Sequence, residues 1–333
     1  MNEYKNINSI QSIPMESRTY ELYKFMLEKY KRGLEYVPEQ YRSLELCKMA
    51  VNNYGISLQY VPLELRSFVL CHMALANDVN AFKYILEEYK SYELCKTVVT
   101  QAGYLLEYVP LYHRTLSVCK LALNTSPILQ YVPIELRTIN MCKLAVSRHP
   151  FELEFVPENI KSFEICNIAI SKSSIVLKYI PDELKTYKMC FNCVSTIGTL
   201  LEYVPIEKRD FRMCYVAIKT SGRALQYVPP KYKTKILCKK SINSDYKAIK
   251  YVPESLLDLK MCMYALLTHF EAFKYIPDKF RLYKICEWMV NKDGILLQYV
   301  PIESRDINIC KLAIKNNQLA IEYVPKELIE KLV

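Results

Sequence analysis

The sequence predicts an all-α solenoid, and three observations carry the prediction. The first is a period. Prolines recur at Pro14, Pro38, Pro62, Pro110, Pro133, Pro157, Pro181, Pro205, Pro229, Pro253, Pro277, Pro301 and Pro325, in steps of 24 residues with two exceptions. Leu86 stands where a proline is due, and Pro110 to Pro133 is one residue short. The second is a helical apolar stripe inside each period, and the third is a polar residue placed to start that helix. Self-similarity at such a period is the signature of stacked repeats, each unable to bury its apolar face alone.

Positions are counted from the anchoring proline, taken as 0. Position +5 is Ser, Thr or Asp in twelve of thirteen repeats: Thr19, Ser43, Ser67, Ser91, Thr115, Thr138, Ser162, Thr186, Asp210, Thr234, Asp258 and Asp306, with Leu282 the exception. Side chains of this type accept hydrogen bonds from the unpaired N–H groups of a helix start, so the column predicts an N-cap. Apolar residues follow at +8, +9, +12 and +13, as in Leu46, Cys47, Ala50 and Val51, which is one stripe of a 3.6-residue helix. Five of the six glycines (Gly55, Gly103, Gly198, Gly222 and Gly294) fall at +17, where a left-handed residue would close a helix of about three turns.

The rest of each repeat predicts a second, broken element. Position −4 is apolar throughout, as in Leu34, Leu58, Phe82 and Ile249, and position −1 is Val or Ile. The proline between them pushes its predecessor away from α geometry. A 3₁₀-like turn is expected through "LEYV", then a short helical turn with proline in its first position. The short elements are expected to line the inner side of the array. Residues 1–9 are a polar segment, and 10–333 are expected to form one continuous solenoid with atypical terminal repeats.

The motif "GxxLxYVPxxLRTxxLCKxAV" resembles the tandem repeats of a domain-of-unknown-function family abundant in giant DNA viruses of amoebae, the mimivirus and megavirus group. The resemblance covers about residues 10–328 and implies a helical repeat fold with no assigned activity. The chain departs from the motif at Leu86, in the short repeat before Pro133, and at Lys208 and Lys235, which stand where apolar residues usually do.

Composition bounds the function. Among 333 residues, 51% are hydrophobic and the formal net charge is +10, compatible with an acidic protein, nucleic acid or an anionic surface. No apolar leader opens "MNEYKNINSI", and no run of 18 apolar residues suggests a membrane span, so a cytoplasmic, non-secreted chain is expected. Thirteen cysteines then read as reduced thiols. Twelve of them occupy +9, and equivalent atoms of stacked helices lie about 10 Å apart. That is too far for a disulfide or a shared zinc ion, so packing is expected. Cys193, in "CFNC", replaces the usual core alanine. No cofactor, metal site or catalytic constellation is expected from four scattered histidines and no Gly-rich loop.

Two columns retain a functional claim. One is the aromatic at −2, Tyr in every repeat from Tyr36 to Tyr323 except Phe155, suited to packing or to base stacking. The other is the basic residue at +4, including Arg42, Arg66, Arg114 and Arg137, which could follow a phosphate backbone, pair with the Glu column, or bond carbonyls at the end of the short helix. Partner specificity is expected from positions that vary, among them +7, +10 and +14 of the long helix. The longest basic excursion is "KYKTKILCKKSINSDYKAIK", with Lys231, Lys233, Lys235, Lys239, Lys240, Lys247 and Lys250 against a single acid. The expected function is a non-enzymatic scaffold for a protein partner, viral, host or a second copy of the chain. A nucleic-acid-binding solenoid is the alternative.

Overall fold

The computed structural model describes residues 18–31 and 33–331. The polar segment 1–9 and Pro14 lie outside them. Among the described residues the architecture is all-α, with no strand. The chain divides into two compact units, 1–169 and 170–333. The first holds α1 (Tyr20–Tyr30), α2 (Leu44–Asn53), α3 (Phe68–Asn77), α4 (Tyr92–Gln101), α5 (Leu116–Thr125), α6 (Ile139–Arg148) and nearly all of α7 (Phe163–Ile170). The second holds α8 (Tyr187–Thr196), α9 (Phe211–Thr220), α10 (Lys235–Ser244), α11 (Leu259–Thr268), α12 (Tyr283–Lys292), α13 (Ile307–Asn316) and the short α14 (Lys326–Ile329). Within each unit neighbouring repeats pack on one another, so each is a repeat array.

The cap column starts the long helices. The side chain at +5 accepts an N–H from the residue three further on in all twelve polar cases, for example Ser67 from Leu70 and Asp210 from Met213. Leu282 has no oxygen to offer and α12 starts uncapped. The stripe is the core: Leu46, Cys47, Ala50 and Val51 are fully buried, and so are their counterparts in most repeats. Position −4 completes it, from Leu34 to Leu297, at no more than 1% exposure. Each such side chain contributes about 1.5–3 kcal/mol by leaving water.

The broken element differs from expectation in one register. A 3₁₀ helix such as Gly55–Tyr60 ends on the −2 aromatic, an extended Val-Pro pair follows, and a three-residue 3₁₀ helix such as Leu63–Leu65 leads into the cap. Proline is therefore the residue before the second short helix, not its first residue. Pro62 lies at φ −53°, ψ 141°, a conformation the pyrrolidine ring presets. Leu86 adopts the same conformation, φ −62°, ψ 142°, so losing that proline leaves the fold unchanged.

The glycine column also has a different cause. None of the five is left-handed; among the described residues only Lys31 and Gly33 have positive φ. Each of the five instead lies beneath the C-terminal end of the next long helix. A Cβ on Gly103 or Gly198 would stand 2.1 Å from the carbonyl oxygen of Ala122 or Ala217. The close approach is used: Gly55 N–H donates to Asn77 Oδ1 at 2.8 Å, and Gly294 N–H to Asn316 Oδ1 at 2.8 Å.

The one-residue deletion before Pro133 is repaired from the following repeat. It shortens the first 3₁₀ helix to Leu129–Tyr131. The buried carboxylate of Glu152 accepts the Leu129 N–H at 2.7 Å. Glu152 stands at +19, where other repeats place residues such as Ala81, Leu105 and Ala224. Burial pushes its carboxyl pKa up.

Candidate partner-binding surface

The recurring polar residues face the array itself. In the second repeat pair, Arg66 donates from Nε to Val61 O at 2.8 Å, from Nη1 to Tyr84 O of the next repeat at 3.2 Å, and from Nη2 to Gln59 O at 3.0 Å. Arg114, Arg209 and Arg305 make the same three bonds. Arg42 and Arg137 likewise bond their own valine carbonyl and the next repeat's −2 carbonyl. Of the roles open to this column, the structure shows the carbonyl one at these arginines, and pairing with an acid three residues earlier at Lys161, Lys185 and Arg281. The candidates Arg42, Arg66, Arg114 and Arg137 are half-buried staples between repeats, and a row of open guanidinium groups is not what they form. Lysine serves at the same position: buried Lys90 reaches Tyr108 O at 2.9 Å.

The cysteines are packing residues. All thirteen are buried with free thiols, and several donate weakly to the carbonyl of the basic residue five earlier, as Cys47 to Arg42 O at 3.6 Å. Burial lifts the thiols of Cys47, Cys119 and Cys214 to about 11, far from thiolate reactivity at neutral pH. Cys193 is 2% exposed and lies in the core of α8. Each histidine packs against an aromatic ring of its own neighbourhood, such as His269 on Tyr246 at 4.6 Å. No group of three or more His, Cys, Asp or Glu is placed to hold a metal among the described residues. No described helix is long and apolar enough to cross a membrane.

A further inter-repeat ladder runs from +6 to the next +5. Tyr187 Oη donates to Asp210 at 3.0 Å and Tyr283 Oη to Asp306 at 2.8 Å. Lys235, out of character at +6, makes the same link in charged form, to Asp258 at 2.6 Å. That pair and the Met261 N–H hold the Asp258 carboxyl below its usual range.

The varying positions lie outside, and there the two units part company. At +7 the first unit carries Glu21, Glu45, Val69, Glu93, Ser117, Asn140 and Glu164; the second carries Lys188, Arg212, Ile236, Lys260, Lys284 and Asn308. In the first unit two of these glutamates meet +10 lysines of the preceding helix, Lys24 with Glu45 at 2.6 Å and Lys143 with Glu164 at 2.6 Å. In the second, Arg212 lies over the Phe191 ring at 5.1 Å instead.

The basic stretch 231–250 is not one surface. Lys235 and Lys239 line a groove of about 370 Å³ between α10 and α11, together with Ile236, Asp258, Lys260, Met261 and Tyr264. The other five candidates do not line it. Lys231 and Lys250 lie over the rings of Tyr232 and Tyr251, Lys247 over Tyr246, and Lys240 over Tyr215, at 4.7–5.7 Å. Lys233 belongs to the staple column and donates to Tyr251 O at 3.3 Å. Lys260, Met261 and Tyr264 complete the groove and fall outside the basic stretch. For Lys260 the signal is the sign of charge at +7 read from repeat to repeat.

The model of a family described as a domain of unknown function, DUF4116, matches residues 138–185 and 289–329, so the chain is similar to that family over these two segments. No curated protein matches the chain.

Proposed function

We propose that this protein is a non-enzymatic repeat scaffold that binds a protein partner through the outward, varying positions of its long helices. One observation carries the reading. The recurring Arg and Gly positions are engaged between repeats and the Ser/Thr/Asp column caps the long helices, while the +7 residues stay exposed and both +7 and +10 differ from repeat to repeat. A surface that varies over a constant frame suits partner choice. The helical repeat of unknown function found twice agrees with a scaffold. By the resemblance to repeats of giant DNA viruses, the proposed partner is a viral protein, a host protein or a second copy of the chain.

The test is affinity capture with the whole chain beside a mass measurement in solution. A specific protein, or a second copy of the chain, is expected to bind. An inert monomer that captures nothing specific would remove the proposal's support. The same preparation tests nucleic acid: binding of single-stranded DNA or RNA that weakens steeply with salt would favour the basic-face alternative.

A further inference from the structure

We propose that the groove between α10 and α11 is a docking site for an acidic segment of a partner protein that carries an apolar side chain beside its carboxylate. The proposal rests on the scaffold reading and assigns it a site and a ligand chemistry. Its basis is the register of the repeats. At two seams of the first unit a +10 lysine meets a +7 glutamate of the following helix, Lys24 with Glu45 and Lys143 with Glu164. The same two positions on α10 and α11 are Lys239 and Lys260. An ammonium group thus replaces the carboxylate, and both lysines line one groove.

Neither lysine makes an ion pair among the described residues. The groove's acid, Asp258, is held by Lys235 and by the Met261 N–H, and Lys260 adds only a more distant attraction. Two like charges on neighbouring helices repel, and a carboxylate between them would relieve that repulsion while forming two charge-assisted hydrogen bonds. The groove therefore lacks the carboxylate that Glu45 and Glu164 supply at two seams of the first unit.

The apolar half of the ligand is set by Ile236. It is 81% exposed, more than any other large hydrophobic side chain among the described residues, and it occupies a +7 position that is charged on α8, α9, α11 and α12. Tyr264 and Met261 lie beside it in the groove. An aliphatic or aromatic side chain of the partner would cover this apolar surface. A phosphodiester backbone would meet the two lysines but leave Ile236 in water, so the geometry favours peptide over nucleic acid.

The experiment is a fluorescence titration of the whole chain with a labelled peptide, Ser-Glu-Leu-Phe-Glu-Ser, and with its counterpart carrying Gln for both Glu. Lys260→Glu is the decisive variant, because it recreates at an exposed position the Lys–Glu arrangement of Lys24–Glu45 and Lys143–Glu164. The wild-type chain is expected to bind the Glu peptide. The Gln peptide, and the K260E chain with the Glu peptide, should each bind at least about ten-fold more weakly, with the unfolding midpoint of K260E unchanged. Three results would each overturn the proposal: no binding of the Glu peptide at low salt, equal affinity for the Gln peptide, or undiminished affinity in K260E. Tighter binding of oligo-dT that K260E abolishes would also overturn it, in favour of nucleic acid. The two readings separate: a specific protein captured equally by wild-type and K260E chains keeps the scaffold and removes the groove, whereas an inert monomer that captures nothing removes the scaffold.

Discussion

The two units share an interior and differ in the outer columns of their long helices. In both, the +4 arginine bonds three carbonyls, as Arg66 does in the first and Arg209 in the second. Across the outer seam between helices, the first unit pairs Lys24 with Glu45 and Lys143 with Glu164, whereas the second sets Arg212 over Phe191 and leaves Lys239 and Lys260 together. An exposed ion pair contributes little to stability, so the seam can change without cost to the fold. What stays constant is what buries surface or satisfies backbone groups. What varies is available to a partner.

The comparison can be broken first through the staples. Arg66→Ala in the first unit and Arg209→Ala in the second should each lower stability by about 1.5–3 kcal/mol, because each leaves carbonyls of two repeats without a charged donor. Equal losses in urea unfolding are expected; a loss in one unit alone would mean that the interiors differ. The glycines come next. Gly103→Ala and Gly198→Ala place a Cβ 2.1 Å from a backbone oxygen. Each should cost about 1–3 kcal/mol by forcing neighbouring repeats apart, measurable in the same unfolding curves.

Glu152 sharpens the comparison, because only the first unit contains the shortened repeat. Glu152→Ala should cost about 1–3 kcal/mol by leaving the Leu129 N–H without its acceptor. Its pH dependence has a definite sign. Burial raises the folded-state pKa above the unfolded one, so this group's contribution is present at acid pH and is lost as pH rises through the raised value. The wild-type advantage over Glu152→Gln should therefore shrink as pH rises, checked by urea midpoints across the acid range. The smallest effect is expected at the exposed seam: Glu45→Gln removes the partner of Lys24 and should leave the unfolding midpoint nearly unchanged.

Much of this was legible in the sequence because the signals were local. A Ser, Thr or Asp before a 3.6-residue stripe means a cap in any context, and a cysteine inside that stripe is core. The glycines misled because a left-handed helix end and a close approach to the next repeat call for the same residue at the same place. Only the backbone angles and the position of Ala122 or Ala217 separate them. The arginines were ambiguous because their acceptors are carbonyls, which leave no trace in composition. The groove was half legible. Lys235 and Lys239 lie in the basic stretch, but Lys260 lies one repeat on. The site appears only when +10 of one repeat is set against +7 of the next.

The central claim is that repeating residues build the array and non-repeating ones choose the partner. Titration of the acidic peptide against the K260E and R305A chains of the second unit tests it most directly, since one variant alters a non-repeating lysine of the groove and the other a repeating arginine of the frame. Arg305 is a staple, bonded to Val300 O, Tyr323 O and Gln298 O. K260E is predicted to lose at least about ten-fold in affinity and R305A to keep wild-type affinity. Loss of binding in R305A with full binding in K260E would contradict the account.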